Sequence, residues 1–226
     1  MSQELFQALE QKFPIHYRKG DILLMQADCM EVMQLIPDKA IDLAIVDPPY
    51  GINVNSMNMG GRLTIKPDSR EWDNSTPNYE YFLKLKLISH ESIIWGGNYF
   101  ENIWPSRCFI VWDKGESMYG RSFAECEIAY TTFDKSARIF KLIPNDKYRI
   151  HTTQKPVKLY KWLLTNYAKP DQLIFDSHGG SFSSAIAAHY FGCKFIGCEL
   201  DADYFQAAVD RFKKETAQVD LFQEVN

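Results

Sequence analysis

Long hydrophobic runs are missing from this 226-residue chain: the longest unbroken apolar stretch runs from Cys108 to Trp112, far short of the ~20 residues a membrane span needs. Low-complexity tracts, Pro/Ser/Gly-rich linkers and internal repeats are absent too, and with 14% aromatic residues the composition excludes a disordered chain. The five cysteines (Cys29, Cys108, Cys126, Cys193, Cys198) include no CxxC pair and have no histidine at zinc spacing. That argues against a disulfide framework and against a metal site. Free thiols fit a reducing, cytoplasmic home, with plain core packing expected for all five. The opening MSQELFQALEQKF carries no basic n-region and no cleavage signal. The dinucleotide-binding G-x-G-x-x-G is missing. So is any global excess of positive charge, the net charge being −4 and the pI near 5.8.

What is present is a globular balance of 46% hydrophobic and 24% charged residues. A chain of this size buries roughly 70% of its unfolded surface, so one domain over residues 1–226 is expected. Charge is unevenly spread. From Lys135 to Lys161, eight basic residues (Lys135, Arg138, Lys141, Lys147, Arg149, Lys155, Lys158, Lys161) stand against one acid, Asp146. On an acidic protein this is either a footprint for phosphates or a solvated face.

The spacing of apolar residues predicts helices over 3–12, 30–36, 79–90, 157–168, 182–191 and 202–215, and strands at Ile22–Met25, Ile41–Val46, Ser92–Trp95, Arg107–Trp112, Gln172–Phe175 and Lys194–Gly197. Glu125–Phe133 and Ala137–Leu142 alternate and read as an antiparallel pair. Residues 51–78, rich in Asn, Gly, Ser and Pro, read as one long loop, and such loops are usually functional. Alternating strands and helices imply a mostly parallel sheet covered on both faces. In such sheets ligands bind beyond the carboxyl ends of the strands. Five strand ends carry polar groups here: Asp28, Asp47, Gly96-Gly97-Asn98, Asp176 and Glu199. That many make a rim.

Two rim segments carry specific chemistry. In LIFDSHGGSFSSAIAAHYFGCKFIGCEL a glycine turn opens a helix, and Glu199 follows Gly180 by 19 residues, placed to take the hydroxyls of an adenosine-type ribose. The other is Asp47-Pro48-Pro49-Tyr50, which abruptly ends a buried strand. The exocyclic amine of adenine is a poor nucleophile, because its lone pair is delocalised into the ring. A carboxylate and a carbonyl that accept both amine hydrogens draw that nitrogen toward tetrahedral geometry. Proline fixes the backbone and aims the carbonyl, and tyrosine offers a face on which a base can stack. A rigid turn with a surface tyrosine is the plainer alternative.

Together these segments resemble the S-adenosylmethionine-dependent DNA amino-methyltransferases of the permuted β order, the N6-adenine/N4-cytosine family. In that order the DPPY motif precedes the cofactor motif, as Asp47–Tyr50 precedes Phe175–Ser181 here. Gln26-Ala27-Asp28-Cys29, Ile94–Asn98, Val111–Lys114, Phe123-Ala124-Glu125 and His151-Thr152-Thr153-Gln154-Lys155-Pro156 resemble further family blocks, the last one HPTQKP. The resemblance implies a Rossmann-like methyltransferase fold with a mostly parallel twisted sheet, an antiparallel strand pair and helices on both faces. It implies Asp47, Pro48, Pro49 and Tyr50 as the catalytic motif, and Trp95, Gly96, Gly97 and Asn98 as the target-base pocket. For the cofactor it implies Asp28 with the Cys29 amide at the adenine edge, Glu199 at the ribose, and Asp176 at the amino group beside Gly180 and Ser181. Lys155 with Thr152 and Thr153 would meet the methionine carboxylate. Double-stranded DNA is the implied partner, contacted by loops 51–78 (Arg62, Lys66, Arg70) and 134–150 (Lys135, Arg138, Lys141, Lys147, Arg149). A homodimer is implied as well, and no metal. The chain departs from the family's DPFxGSGTT in Asp176-Ser177-His178-Gly179-Gly180-Ser181-Phe182-Ser183-Ser184, where Phe182 replaces a glycine. That departure bears on cofactor affinity. Asp47 favours adenine over cytosine; RNA and a non-catalytic nucleic-acid-binding homologue stay open.

Overall fold

The computed structural model describes residues 2–52, 74–101, 103–121, 124–144 and 149–223. The first half of the chain gives α1 (Ser2–Lys12), β1 (His16–Lys19), β2 (Ile22–Gln26), α2 (Cys29–Leu35), β3 (Ile41–Val46), α3 (Tyr79–Ile88) and β4 (Ser89–Trp95). The second half gives β5 (Phe109–Asp113), β6 (Cys126–Thr131), β7 (Arg138–Lys141), α4 (Val157–Tyr167), β8 (Leu173–Asp176), α5 (Ser183–Phe191), β9 (Lys194–Glu199) and α6 (Ala202–Gln223). Among the described residues one sheet joins these nine strands in the order β1-β2-β9-β8-β3-β4-β6-β5-β7.

Side-chain alternation builds the layers. Leu24, Leu43, Ile45, Ile93 and Ile174 point to one face, where Leu159, Leu163, Ala185 and Phe212 of α4, α5 and α6 cover them. Their sequence neighbours Leu23, Ala44, Val46, Ile94 and Phe175 point to the other, against Phe6, Val32, Phe82 and Leu85 of α1, α2 and α3. Strands buried on both faces must be apolar throughout, which is why IDLAIV and LIFD read as unbroken runs. Each fully buried Leu, Ile or Phe contributes about 1.5–3 kcal/mol.

Strands β2, β9, β8, β3 and β4 are neighbours and all parallel. Their carboxyl ends therefore share one edge, and the five rim segments stand side by side. The expected mostly parallel sheet is present. The antiparallel partner of β6 differs from the expectation. β6 pairs antiparallel with β4 and β5, while β7 pairs parallel with β5 at the sheet margin. Strand β1, polar in sequence (HYRK), pairs antiparallel with β2 through the Gly20-Asp21 turn; alternation alone gives no sign of it. Core packing does not hold for all the cysteines either: Cys126 is exposed and Cys29 only half-buried. Most of the 51–78 loop, with Arg62, Lys66 and Arg70, lies outside the described residues, as do Lys147 and Phe123.

Candidate active site at the carboxyl edge of the sheet

From β3 the chain moves by α3 to β4 on one side, and from β8 by α5 to β9 on the other. The switch point between β3 and β8 opens a crevice. A cavity of about 500 Å³ fills it, walled by Asp28, Cys29, Asp47, Pro49, Thr153, Lys155, Gly180, Ser181 and Glu199, together with His151, His178 and Tyr204. Nine of the sequence-derived site residues thus meet in one cavity.

Asp47 leaves β3 into that crevice because Pro48 and Pro49 cannot continue a central strand. Its Oδ1 accepts the Tyr50 hydroxyl at 2.5 Å, and its Oδ2 pairs with the Lys155 ammonium. Lys155, only 4% exposed, also pairs with Glu127 Oε2 at 3.0 Å, and Lys114 holds the other Glu127 oxygen at 2.8 Å. Burial pushes the Asp47 carboxyl above its usual range, against the pull of Lys155. Burial acts the same way on Glu127, but there Lys155 and Lys114 win and hold it down to about 2. Lys155 is held by both carboxylates, with Asp47 the nearer of the two. No spacing in the sequence singles out Glu127, and Lys114 enters there only as the end of the Val111–Lys114 block.

Gly96 and Gly97 are required by two rings. Gly96 sits at φ +72, and a Cβ there would stand 2.1 Å from the Tyr50 ring; a Cβ on Gly97 would stand 2.4 Å from Tyr130. Tyr99 stacks on Tyr50 with centroids 4.9 Å apart and planes 11° from parallel. Trp95 is fully buried and its indole N–H has no partner among the described residues; Asn98 is exposed.

On the opposite wall Asp28 caps α2, accepting the Met30 amide at 2.7 Å, and still faces the cavity. Glu199 accepts the Gly180 amide at 2.7 Å and the Asp201 amide at 2.9 Å. Asp176 lies beneath the glycine turn, accepting from Ser184 Oγ at 2.5 Å and the His178 amide at 3.1 Å. Burial raises it to about 7. The Thr152 hydroxyl is buried with no partner among the described residues. Thr153 donates its amide to His151 Nδ1 at 3.3 Å. Arg211 of α6 reaches the Ser181 carbonyl at 3.0 Å and Ser183 Oγ at 2.9 Å, tying the turn to the last helix.

Phe182 explains itself in three dimensions. Its ring is fully buried and a Cβ on Gly179 would meet it at 2.0 Å, one on Gly197 at 2.8 Å. The residue takes φ +50, a left-handed conformation costing about 1–2 kcal/mol, offset by burial of the ring. The departure from the family pattern is turned into the core and away from the cavity.

His178, where that pattern has phenylalanine, bonds through Nδ1 with Ser177 Oγ at 2.8 Å, and Ser177 in turn with the Tyr81 hydroxyl at 2.6 Å. Burial lowers its pKa to about 4. Between pH 6.5 and 4 the unfolded chain binds this proton and the folded chain does not, so His178 costs stability as pH falls through that window. A His178→Asn variant is expected to narrow its stability deficit against wild type from pH 7 to pH 5 in urea titrations. Parallel curves would refute the assignment.

Of the basic residues, Lys141 pairs with Glu116 at 2.9 Å, Arg138 lies over Trp162 at 5.5 Å, and Lys135 lies over Phe133 and Tyr167 at 5.1 Å. Strand β7 runs in the direction of β3. Its carboxyl end, with Lys141, shares the edge of the cavity, whereas Arg138 and the preceding Lys135 stand toward the opposite edge. Arg149 lies two residues before His151 of the cavity wall. No group of three or more His, Cys, Asp or Glu is placed to hold a metal among the described residues, and no helix among them is long and apolar enough to cross a membrane.

A sequence model described as DNA methylase, N6_N4_Mtase, matches residues 89–210, more than half of the chain. This chain belongs to that DNA methylase family. The methylase is 23% identical over 246 residues to the type II methyltransferase M.HinfI of Haemophilus influenzae, covering 84% of this chain and 68% of that one. Its fold matches the crystal structure of an M1.HpyAVI-SAM complex at a TM-score of 0.57 with 21% identity, over 83% of this chain and 98% of the other. It also matches the PvuII DNA methyltransferase, named cytosine-N4-specific, at 0.60 with 13% identity, over 91% and 94%.

Proposed function

We propose that this methylase transfers a methyl group from S-adenosylmethionine to N6 of an adenine flipped out of double-stranded DNA. The observation that carries the reading is Asp47-Pro48-Pro49-Tyr50 at the switch point, its carboxylate facing the 500 Å³ cavity. The donor set fits the cofactor. Asp28 and Glu199 give two carboxylates at one end for an adenine edge and ribose hydroxyls, and Gly180 and Ser181 form a close backbone wall. The buried Thr152 hydroxyl is an unused donor beside Thr153 for a carboxylate. Asp176 holds the turn from below and, through it, the amino-group end. When bound, S-adenosylmethionine supplies the electrophilic methyl.

The protein's part is placement and electrostatics. Flipping costs a few kcal/mol of unstacking. Asp47 and the Pro48 carbonyl accept the two amine hydrogens, and Tyr50, backed by Gly96, fixes the plane of the base. We assign Trp95, Gly96, Gly97 and Asn98, which stand outside the lining of the cavity, to the base side, where Gly96 packs against the Tyr50 ring. The proton shed after transfer leaves through Asp47 or water. An exocyclic amine of cytosine meets the same two acceptors, so N4-cytosine is the second reading; Asp47 at the first motif position favours adenine.

The test is mass spectrometry of nucleosides from DNA of a methylation-free bacterium expressing the chain, beside an Asp47→Ala control. N6-methyladenine absent from the control is the expected result, N4-methylcytosine would change the base, and no modified DNA base would reject the reading. For DNA contact we propose Lys141 and Arg149 at the cavity edge, with Arg62, Lys66, Arg70 and Lys147 from the loops. Lys135 and Arg138, toward the other edge, would join only through a longer footprint. With about six phosphates contacted, one for each cavity-edge and loop residue, affinity should fall on the order of 10³-fold between about 50 and 200 mM salt. Fluorescence anisotropy checks this, and a flat salt response would reject it.

A further inference from the structure

The Asp47 carboxylate that should receive the target amine is fully engaged in this structure, Oδ1 by Tyr50 and Oδ2 by Lys155. A base that takes Oδ2 as its acceptor competes with the lysine for it. Released into a pocket where it is 4% exposed, an unpaired ammonium would be very costly. The pocket supplies a second acceptor: Glu127 of β6 stands 3.0 Å from the same Nζ. Glu127 is itself anchored by Lys114 at 2.8 Å, so the carboxylate stays in place while the lysine shifts its weight.

We propose that Glu127 is a positioning residue for methyl transfer, retaining Lys155 when the amine claims Asp47 and so freeing Oδ2 without leaving a buried charge alone. The four groups form an alternating row, Asp47, Lys155, Glu127, Lys114, with no net charge. In the resting row Lys155 occupies the place of the incoming amine, and its Nζ also lies 3.2 Å from the Tyr50 hydroxyl. The exchange then replaces one N–H donor on Oδ2 by another. Glu127 touches neither base nor cofactor in this account; it acts through Lys155.

The inference rests on the methyltransferase reading, and the experiment separates the two. The variant is Glu127→Gln, nearly isosteric but with one acceptor oxygen in place of two, so that one of the two lysines meets an NH2 donor instead of a carboxylate oxygen. Single-turnover transfer to DNA is measured across pH, with S-adenosylmethionine affinity on the same preparation. Asp47 is faced by Lys155 from the segment before α4, Tyr160 on α4, Glu127 on β6, Tyr50 in its own loop and Asp176 at the end of β8. Glu127's charge raises Asp47, so its loss moves the acid limb of the rate profile to lower pH. The rate at the plateau should fall roughly 10- to 100-fold, because Lys155 now stays on Asp47. Cofactor affinity should hold within about twofold, an interaction with the transition state alone being lost.

Glu127→Asp, which keeps the charge at shorter reach, should recover part of the rate with the limb at its wild-type position. An unmoved limb, an undiminished rate, or an aspartate variant no better than glutamine would overturn the proposal while wild-type transfer stands. A wild type that leaves DNA unmethylated would overturn the underlying reading, and this inference with it.

Discussion

In an Asp47→Ala variant, methyl transfer is expected to fall on the order of 10³-fold or more, with S-adenosylmethionine still bound at near wild-type affinity. Asp47 is the carboxylate that accepts from Tyr50 and Lys155. The carboxylates assigned to the cofactor, Asp28 and Glu199, have their own partners in Met30, Gly180 and Asp201. Removing Asp47 therefore empties the amine's acceptor without touching that wall. Lys155 keeps Glu127, but two ammoniums then share one carboxylate, so the variant should also lose stability, which a denaturation midpoint reads. Labelled methyl transfer and titration calorimetry on one preparation read both halves. Turnover within tenfold of wild type would remove Asp47 from the chemistry.

Gly96→Ala should be nearly as damaging by a different route. The new Cβ would lie 2.1 Å from the Tyr50 ring, and the residue would have to hold φ +72. Backbone strain costs about 1–2 kcal/mol, visible as a lower denaturation midpoint. The larger effect falls on turnover. The ring must move by more than an ångström or so, and with it the hydroxyl that orients Asp47, a misplacement worth about 100-fold in rate. Cofactor affinity should be unchanged, since Gly96 lies outside the cofactor wall. If kcat stays near wild type while stability drops, Tyr50 is not the plane on which the base is fixed.

The rim was legible because strand ends announce themselves. A buried apolar run that stops at Asp47, Asp176 or Glu199 places each acid at one edge as soon as the strands are parallel. The glycine pair 96–97 was legible as a special position, but its cause, the rings of Tyr50 and Tyr130, lies elsewhere in the chain. Strand β6 could not be placed from its own alternation, since a two-residue period suits pairing with β4, β5 or β7 equally. Polar β1 hid for a related reason: it is an edge strand with one neighbour and little to bury. Glu127 escaped because it meets Lys155 only across a gap of 28 residues in sequence, and ion pairs formed by folding leave no spacing behind. Lys155 drew notice through its motif. The motif pointed to the methionine end, whereas its closest partners are Asp47 and Glu127.

The Phe182 ring, lodged against Gly179, makes two positions heritable only as a set. An alanine at 179 meets the ring, and a glycine at 182 leaves a void the size of a phenyl group. The ring has to shrink before Gly179 can vary. Gly197 is fixed separately, since a Cβ there would meet the Phe195 ring at 2.6 Å whatever stands at 182. Sequence drift around this turn is thus a ratchet with a fixed order of moves. A mutational library should recover substitutions at 179 almost wholly in backgrounds where residue 182 is already small.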